Sequence, residues 1–134
     1  MKRPPDQATL GGSLRPRGPI QLALTTRRTS EATVVAVTGE LDLLTARRLT
    51  PQLDDIVRRR SGDAVIDLRR ADFIDSFGLT VLLSTQRRLA RQGRTLTVIC
   101  GEGPVRRAIE FARLLEPLGV VPSLEEYRAQ RAGG

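Results

Sequence analysis

The chain has no histidine and no tryptophan, a single cysteine and only 3% aromatic residues. Without histidine, a His-based catalytic triad and a His-rich metal site are excluded. One cysteine, Cys100, permits no internal disulfide. It ends an apolar, strand-like run and reads as a small core residue. The scarcity of aromatics means that a core has to be built from Leu, Val, Ile and Ala. It also leaves few rings on which single-stranded nucleic acid could stack. No apolar run approaches the length that crosses a bilayer, and the N-terminus lacks the apolar segment of a secretory signal. The expectation is a cytoplasmic protein with no membrane insertion.

What is present is enough for one core: 134 residues, of which 40% are hydrophobic. A formal net charge of +7 points to nucleic acid until the charge is located. Residues 1–30 hold six Lys or Arg against one acid, Asp6, whereas the remainder holds sixteen Arg against fourteen acids. A nearly balanced domain with a basic tail is a solvated surface, and no direct nucleic-acid binding is expected.

Residues 1–19, rich in Pro and Gly and without apolar periodicity, read as a disordered basic tail. A domain over 20–131 follows. Ile20 to Leu24 and Thr33 to Val37 read as two strands joined by a hairpin across Thr25 to Glu31, with Gly39 breaking the second. Leu49, Leu53, Ile56 and Val57 form a helical stripe. Pro51 leaves its start open between a Thr50 cap with Pro51 at the first position and a Thr45 cap with a disturbed first turn from about Ala46. Ala64 to Leu68 and Thr95 to Cys100 read as buried strands, and Val120-Val121 as a short last one. Leu79, Leu82, Leu83 and Leu89 mark a helix between them. Pro104 opens a helix carrying Val105, Ala108, Ile109 and Ala112, and Ser123-Leu124-Glu125-Glu126 opens another to about Arg131. Strands that alternate with helices after an initial pair imply parallel neighbours with helices packed on the sheet.

Between the strand Ala64–Leu68 and the helix from Leu79 lies Asp75-Ser76, the expected cap region. A hydroxyl is thereby presented at a strand end and a helix start, beside a carboxylate and a glycine. Asp67, Asp72 and Asp75 cluster near it in sequence, and Asp42 is expected to join them in space. Paired acids invite a general acid/base or metal reading. No histidine and no evident base beside Ser76 stand against it, and the chain is read as non-enzymatic, with no cofactor and no metal.

The run Asp75-Ser76-Phe77-Gly78-Leu79, preceded by Val65-Ile66-Asp67-Leu68 and Phe73-Ile74, resembles the signature of the STAS domain. A second marker, Gly39-Glu40-Leu41-Asp42 followed by Thr45-Ala46, stands at the matching earlier place. Together they are most similar to the single-domain bacterial anti-sigma factor antagonists, over about residues 20 to 130. The resemblance implies an α/β STAS fold: a mixed, mostly parallel β-sheet with an N-terminal antiparallel strand and about four α-helices packed on it. It also implies that the first helix starts at about Ala46, the second of the two readings of Pro51. It implies phosphorylation of Ser76 by an anti-sigma factor with an ATP-binding serine-kinase fold, and reversal by a serine phosphatase. The partner-binding residues it implies are Glu40, Asp42, Asp75, Ser76, Phe77 and Gly78, in a monomer or weak dimer. Position 77 is most often a small residue in that family. Here Phe77 is either an outward apolar anchor for a partner or a filler beneath the loop. The alternative function is a constitutive STAS subunit of a transporter or scaffold complex in which Ser76 is only a cap.

Overall fold

The computed structural model describes residues 22–133; the expected 1–19 tail and the first-strand residues Ile20 and Gln21 lie outside them. Four strands, β1 (Leu22–Arg28), β2 (Ala32–Leu41), β3 (Asp63–Ile74) and β4 (Leu96–Ile99), form one sheet in that order. β1 is antiparallel to β2, while β2–β3 and β3–β4 are parallel. The helices are α1 (Ala46–Arg59), α2 (Ser76–Ala90), α3 (Pro104–Phe111) and α4 (Leu124–Gly133). The mixed sheet and the helix count match the fold expected from sequence.

Alternation along the strands sorts the core. Val35 and Val37 of β2, Ala64, Ile66 and Leu68 of β3, and Leu96 and Val98 of β4 turn to one face. There they pack under Leu49, Leu53 and Ile56 of α1, Leu82 and Leu89 of α2, and Val105 and Ile109 of α3. The opposite face presents Ala32, Val65 and Ile99, covered by Leu124 and Tyr127 of α4. An Arg131–Asp63 ion pair at 2.6 Å fastens α4 to the start of β3.

Several boundaries move. The expected hairpin link narrows, because β1 runs on to Arg28 and only residues 29–31 turn. The Thr29 hydroxyl accepts from the Glu31 and Ala32 N–H groups, and this local bonding closes the reversal. β2 does not break at Gly39. The glycine takes φ 105°, the register shifts beside it, and the strand continues to the fully buried Leu41. β3 extends six residues past Leu68, paired only with β2, since β4 stops at Asp67↔Ile99. Val120-Val121 is not a strand; a single bridge joins Val121 to Ile99. α1 begins at Ala46 with Pro51 inside it, as preferred from sequence.

Arg94, not singled out by its sequence context, is a buried arginine facing carbonyls rather than a carboxylate. Its Nε donates to Gly62 O at 2.6 Å, and its two Nη atoms donate to Ile56, Val57 and Ser61 carbonyls and to Gln92 Oε1. One guanidinium thus satisfies the C-terminal carbonyls of α1 and the turn beyond it, where the helix dipole favours a cation.

Candidate functional site

β2 and β3 are parallel, so both deliver their C-terminal ends to the same side, with Leu41 opposite Ile74. The Asp75 N–H donates to the Leu41 carbonyl at 3.2 Å, which joins the loop after β2 to the start of α2. This is the end at which open parallel sheets place their sites.

Asp75 is the N-cap of α2. In an extended conformation (φ −113°, ψ −172°), its Oδ1 accepts from the Phe77 N–H at 2.9 Å and the Gly78 N–H at 3.1 Å. Ser76 is therefore the first helical residue rather than the cap. Its side chain is exposed, and among the described residues no hydrogen bond engages its hydroxyl. The carboxylate does the capping that a serine usually does, and the hydroxyl is left at the positive end of the helix.

Gly78, expected among the partner-binding residues, is buried one turn into α2. A Cβ there would meet Leu41 O at 2.7 Å and Ile74 Cγ1 at 2.9 Å. The missing side chain lets α2 approach the β2–β3 ends and holds Ser76 in place. Gly78→Ala gains helix propensity worth up to about 1 kcal/mol, but overpacking against a backbone carbonyl costs about 1–3 kcal/mol. The clash wins. We expect a lower midpoint in urea unfolding, whereas an unchanged or higher midpoint would show that the helix start yields freely.

The loop after β2 is held from within. The buried Thr45 hydroxyl donates to the Glu40 carbonyl at 2.5 Å and accepts from the Asp42 N–H at 2.9 Å. Asp42 Oδ1 accepts from the N–H groups of Leu44 and Thr45, both at 3.0 Å. The Thr45 N–H, above all, keeps the Asp42 carboxyl below its ordinary pKa. Thr45→Val keeps the shape and leaves a carbonyl and an N–H without their hydroxyl partner, at a cost of about 1–3 kcal/mol. Thr45→Ser should restore most of that in the same urea titration; equal losses in both variants would place the effect in packing.

The segments that meet at the Ser76 end carry four exposed apolar side chains: Leu43 (47%), Leu44 (67%), Phe73 (47%) and Phe77 (50%). Phe77 thus turns outward and fills no space beneath the loop. Leu43 and Leu44 do not stand out in the sequence, though a Leu pair inside a turn segment is a usable signal, and Phe73 enters there only as part of the motif. Glu40 is half-buried, and Asp42 and Asp75 flank the hydroxyl's loop and helix start. Asp72 is exposed near the tip of β3. Asp67 does not join them. It lies midway along β3, paired at 2.7 Å with Arg69 on the face away from α1, because β3 runs seven residues further. The Arg69 guanidinium lowers its pKa.

Among the described residues, no group of three or more His, Cys, Asp or Glu is arranged to hold a metal ion, and no helix is long and apolar enough to cross a membrane. A cleft of about 750 Å³ between β4 and α4 is lined by Thr95, Thr97, Tyr127 and Arg131. It opens at the start of β4, at the opposite end of the sheet from Ser76. The Ser76 end exposes apolar side chains beside carboxylates, a surface suited to a protein partner.

Comparison with known proteins bears on the family and the fold. A family model described as Mlab, STAS domain matches residues 24–122. The anti-sigma F factor antagonist of Paenibacillus polymyxa is 30% identical over 84 residues, covering 62% of this chain and 72% of that one. The anti-sigma-F factor antagonist RsfB of Mycobacterium tuberculosis is 26% identical over 116 residues, 87% of this chain and 94% of its own. The crystal structure of an anti-sigma factor antagonist from Mycobacterium paratuberculosis superposes with a TM-score of 0.76 at 26% identity, covering 84% of this chain and 96% of that one.

Proposed function

The chain belongs to the STAS domain family, and from that membership we propose that it is an anti-sigma factor antagonist switched by reversible phosphorylation of Ser76. Unmodified, it binds an anti-sigma factor through the Ser76 end and frees the sigma factor. The partner is a serine kinase in fold, which holds the ATP and its magnesium, and a serine phosphatase resets the cycle. The chain contributes a phosphoryl acceptor and a docking surface, not catalysis, and acts in the cytoplasm.

One observation carries the reading: the Ser76 hydroxyl is exposed at the first position of α2 while Asp75 supplies the cap. The serine is thus dispensable for the helix and available to a kinase. A phosphate there adds about −1.5 to −2 charges. The α2 N-terminus offsets part of this, so the fold survives. A partner packed over Leu43, Leu44, Phe73 and Phe77 desolvates the site and rejects the new charge, at a cost of several kcal/mol. The outward Phe77 supports an apolar anchor at the centre of that interface, which selects partners with a matching pocket. The relatives named as anti-sigma factor antagonists support the role.

The test is to mix the chain with its anti-sigma factor and ATP and to map the modification by mass spectrometry. Phosphate on Ser76 alone is the expected result. Phosphate on another residue, or none with any cognate anti-sigma factor, would remove Ser76 from the mechanism.

A further inference from the structure

We infer that the chain's own N-terminal segment, residues 1–21, docks on the Ser76 end and competes there with the partner. The docking rests on topology and charge; only its effect on the partner rests on the function proposed above.

Because β1 is antiparallel to β2, its first residue, Leu22, lies opposite Gly39. The chain before Leu22 is therefore tethered at the end where Leu41 meets Ile74, not at the end that holds the β4–α4 cleft. Leu22 and Ile74 are two strand spacings apart and offset by two residues or so along the strands, roughly 12 Å in all. Five extended residues reach about 17 Å. Arg17 comes within range of the Ser76 rim at once, Arg15 with slack, and the rest of the segment easily spans it.

The compositions are complementary. Residues 40–46 and 71–79, which frame Ser76, hold Glu40, Asp42, Asp72 and Asp75 and no Lys or Arg. The segment carries Lys2, Arg3, Arg15 and Arg17 against Asp6, together with Leu10, Leu14 and Ile20. The nearest cations of the domain by sequence are Arg47, Arg48 and Arg70. Of these, Arg48 is committed to the Leu22 carbonyl at 2.8 Å, which also pins the tether point. The rim is apolar as well as acidic, since Leu43, Leu44, Phe73 and Phe77 are all at least 47% exposed. A segment that carries both cations and apolar side chains fits such a rim. The attraction acts between exposed charges and is screened by salt, so the docked segment is displaceable.

The experiment uses the full chain with Cys100→Ala and Ser13→Cys, spin-labelled at position 13 and read by paramagnetic broadening of backbone amide signals. The tether alone brings some broadening to this end, so the deciding comparison is with the same chain carrying Lys2, Arg3, Arg15 and Arg17 all changed to Glu. We expect broadening concentrated on residues 40–44 and 72–78, and reduced several-fold by the charge reversal and by high salt. Broadening that ignores the reversal, or reaches Asp63 and Thr95 equally, would overturn the docking. In a titration with the anti-sigma factor, the charge-reversed chain should bind several-fold tighter; equal affinity would overturn the competition. A positive broadening pattern with no anti-sigma factor bound by either chain would count against the proposed function and leave the docking in place.

Discussion

Ser76→Asp should abolish partner binding while leaving the fold intact. The substitution puts a carboxylate on the first residue of α2, where the helix dipole favours it, so thermal stability should stay within about 0.5 kcal/mol, as for exposed sites generally. At the proposed interface the same charge would be buried against Leu43, Leu44, Phe73 and Phe77 without a cation. A penalty of about 3 kcal/mol or more corresponds to roughly a hundredfold loss of affinity. Ser76→Ala should bind as the parent does and resist phosphorylation. Calorimetric titration of the three proteins against the anti-sigma factor checks this. Retained binding by Ser76→Asp would contradict a switch based on charge.

The second large effect is on stability and lies far from Ser76. Arg94→Met removes the donor shared by Ile56, Val57, Ser61 and Gly62 carbonyls and Gln92. Methionine fits the volume, and loss of a desolvated charge offsets part of the damage. Carbonyls left without a partner still cost about 1–3 kcal/mol each where they stay buried. The net loss should be about 3–5 kcal/mol out of a total of about 5–15. A fall in Tm of about ten degrees or more follows for a domain of this size. Arg94→Lys should recover little, because an ammonium cannot reach the carbonyls that a planar fork spans. A melting curve unchanged by Arg94→Met would show that water replaces the guanidinium at no cost.

Much of this architecture is legible in the residue pattern, and the exceptions share a cause. The stripes of α1 and α2 and the runs of β3 and β4 are buried on sides that periodicity reveals. The extension of β3 through Arg69, Arg70 and Asp72 is polar because only β2 pairs with it and solvent bathes the rest, so no apolar alternation marks it. The continuation of β2 through Gly39 depends on a register shift that only the partner strand imposes. Arg94 looks like any charged residue in a turn, since its carbonyl partners lie more than thirty positions away. At the site, the motif led to Ser76, Asp75 and the loop from Glu40 to Asp42. It did not divide the labour between Asp75 as cap and Ser76 as bare hydroxyl, which depends on backbone angles. It named Gly78 for partner binding without showing that the glycine is buried, and proximity in sequence grouped Asp67 with the serine. Both are settled by three-dimensional packing and strand length rather than by sequence proximity.

The central claim is that one uncommitted hydroxyl at the start of α2 is what a partner reads. Its most direct test is intact mass and site mapping on the chain isolated from its native cell, with the sigma factor held once in its silent and once in its active state. The account predicts a single phosphate at Ser76 in the silent state and none in the active one. Ser76 unmodified in both states, or a phosphate elsewhere that follows the sigma factor, would contradict it.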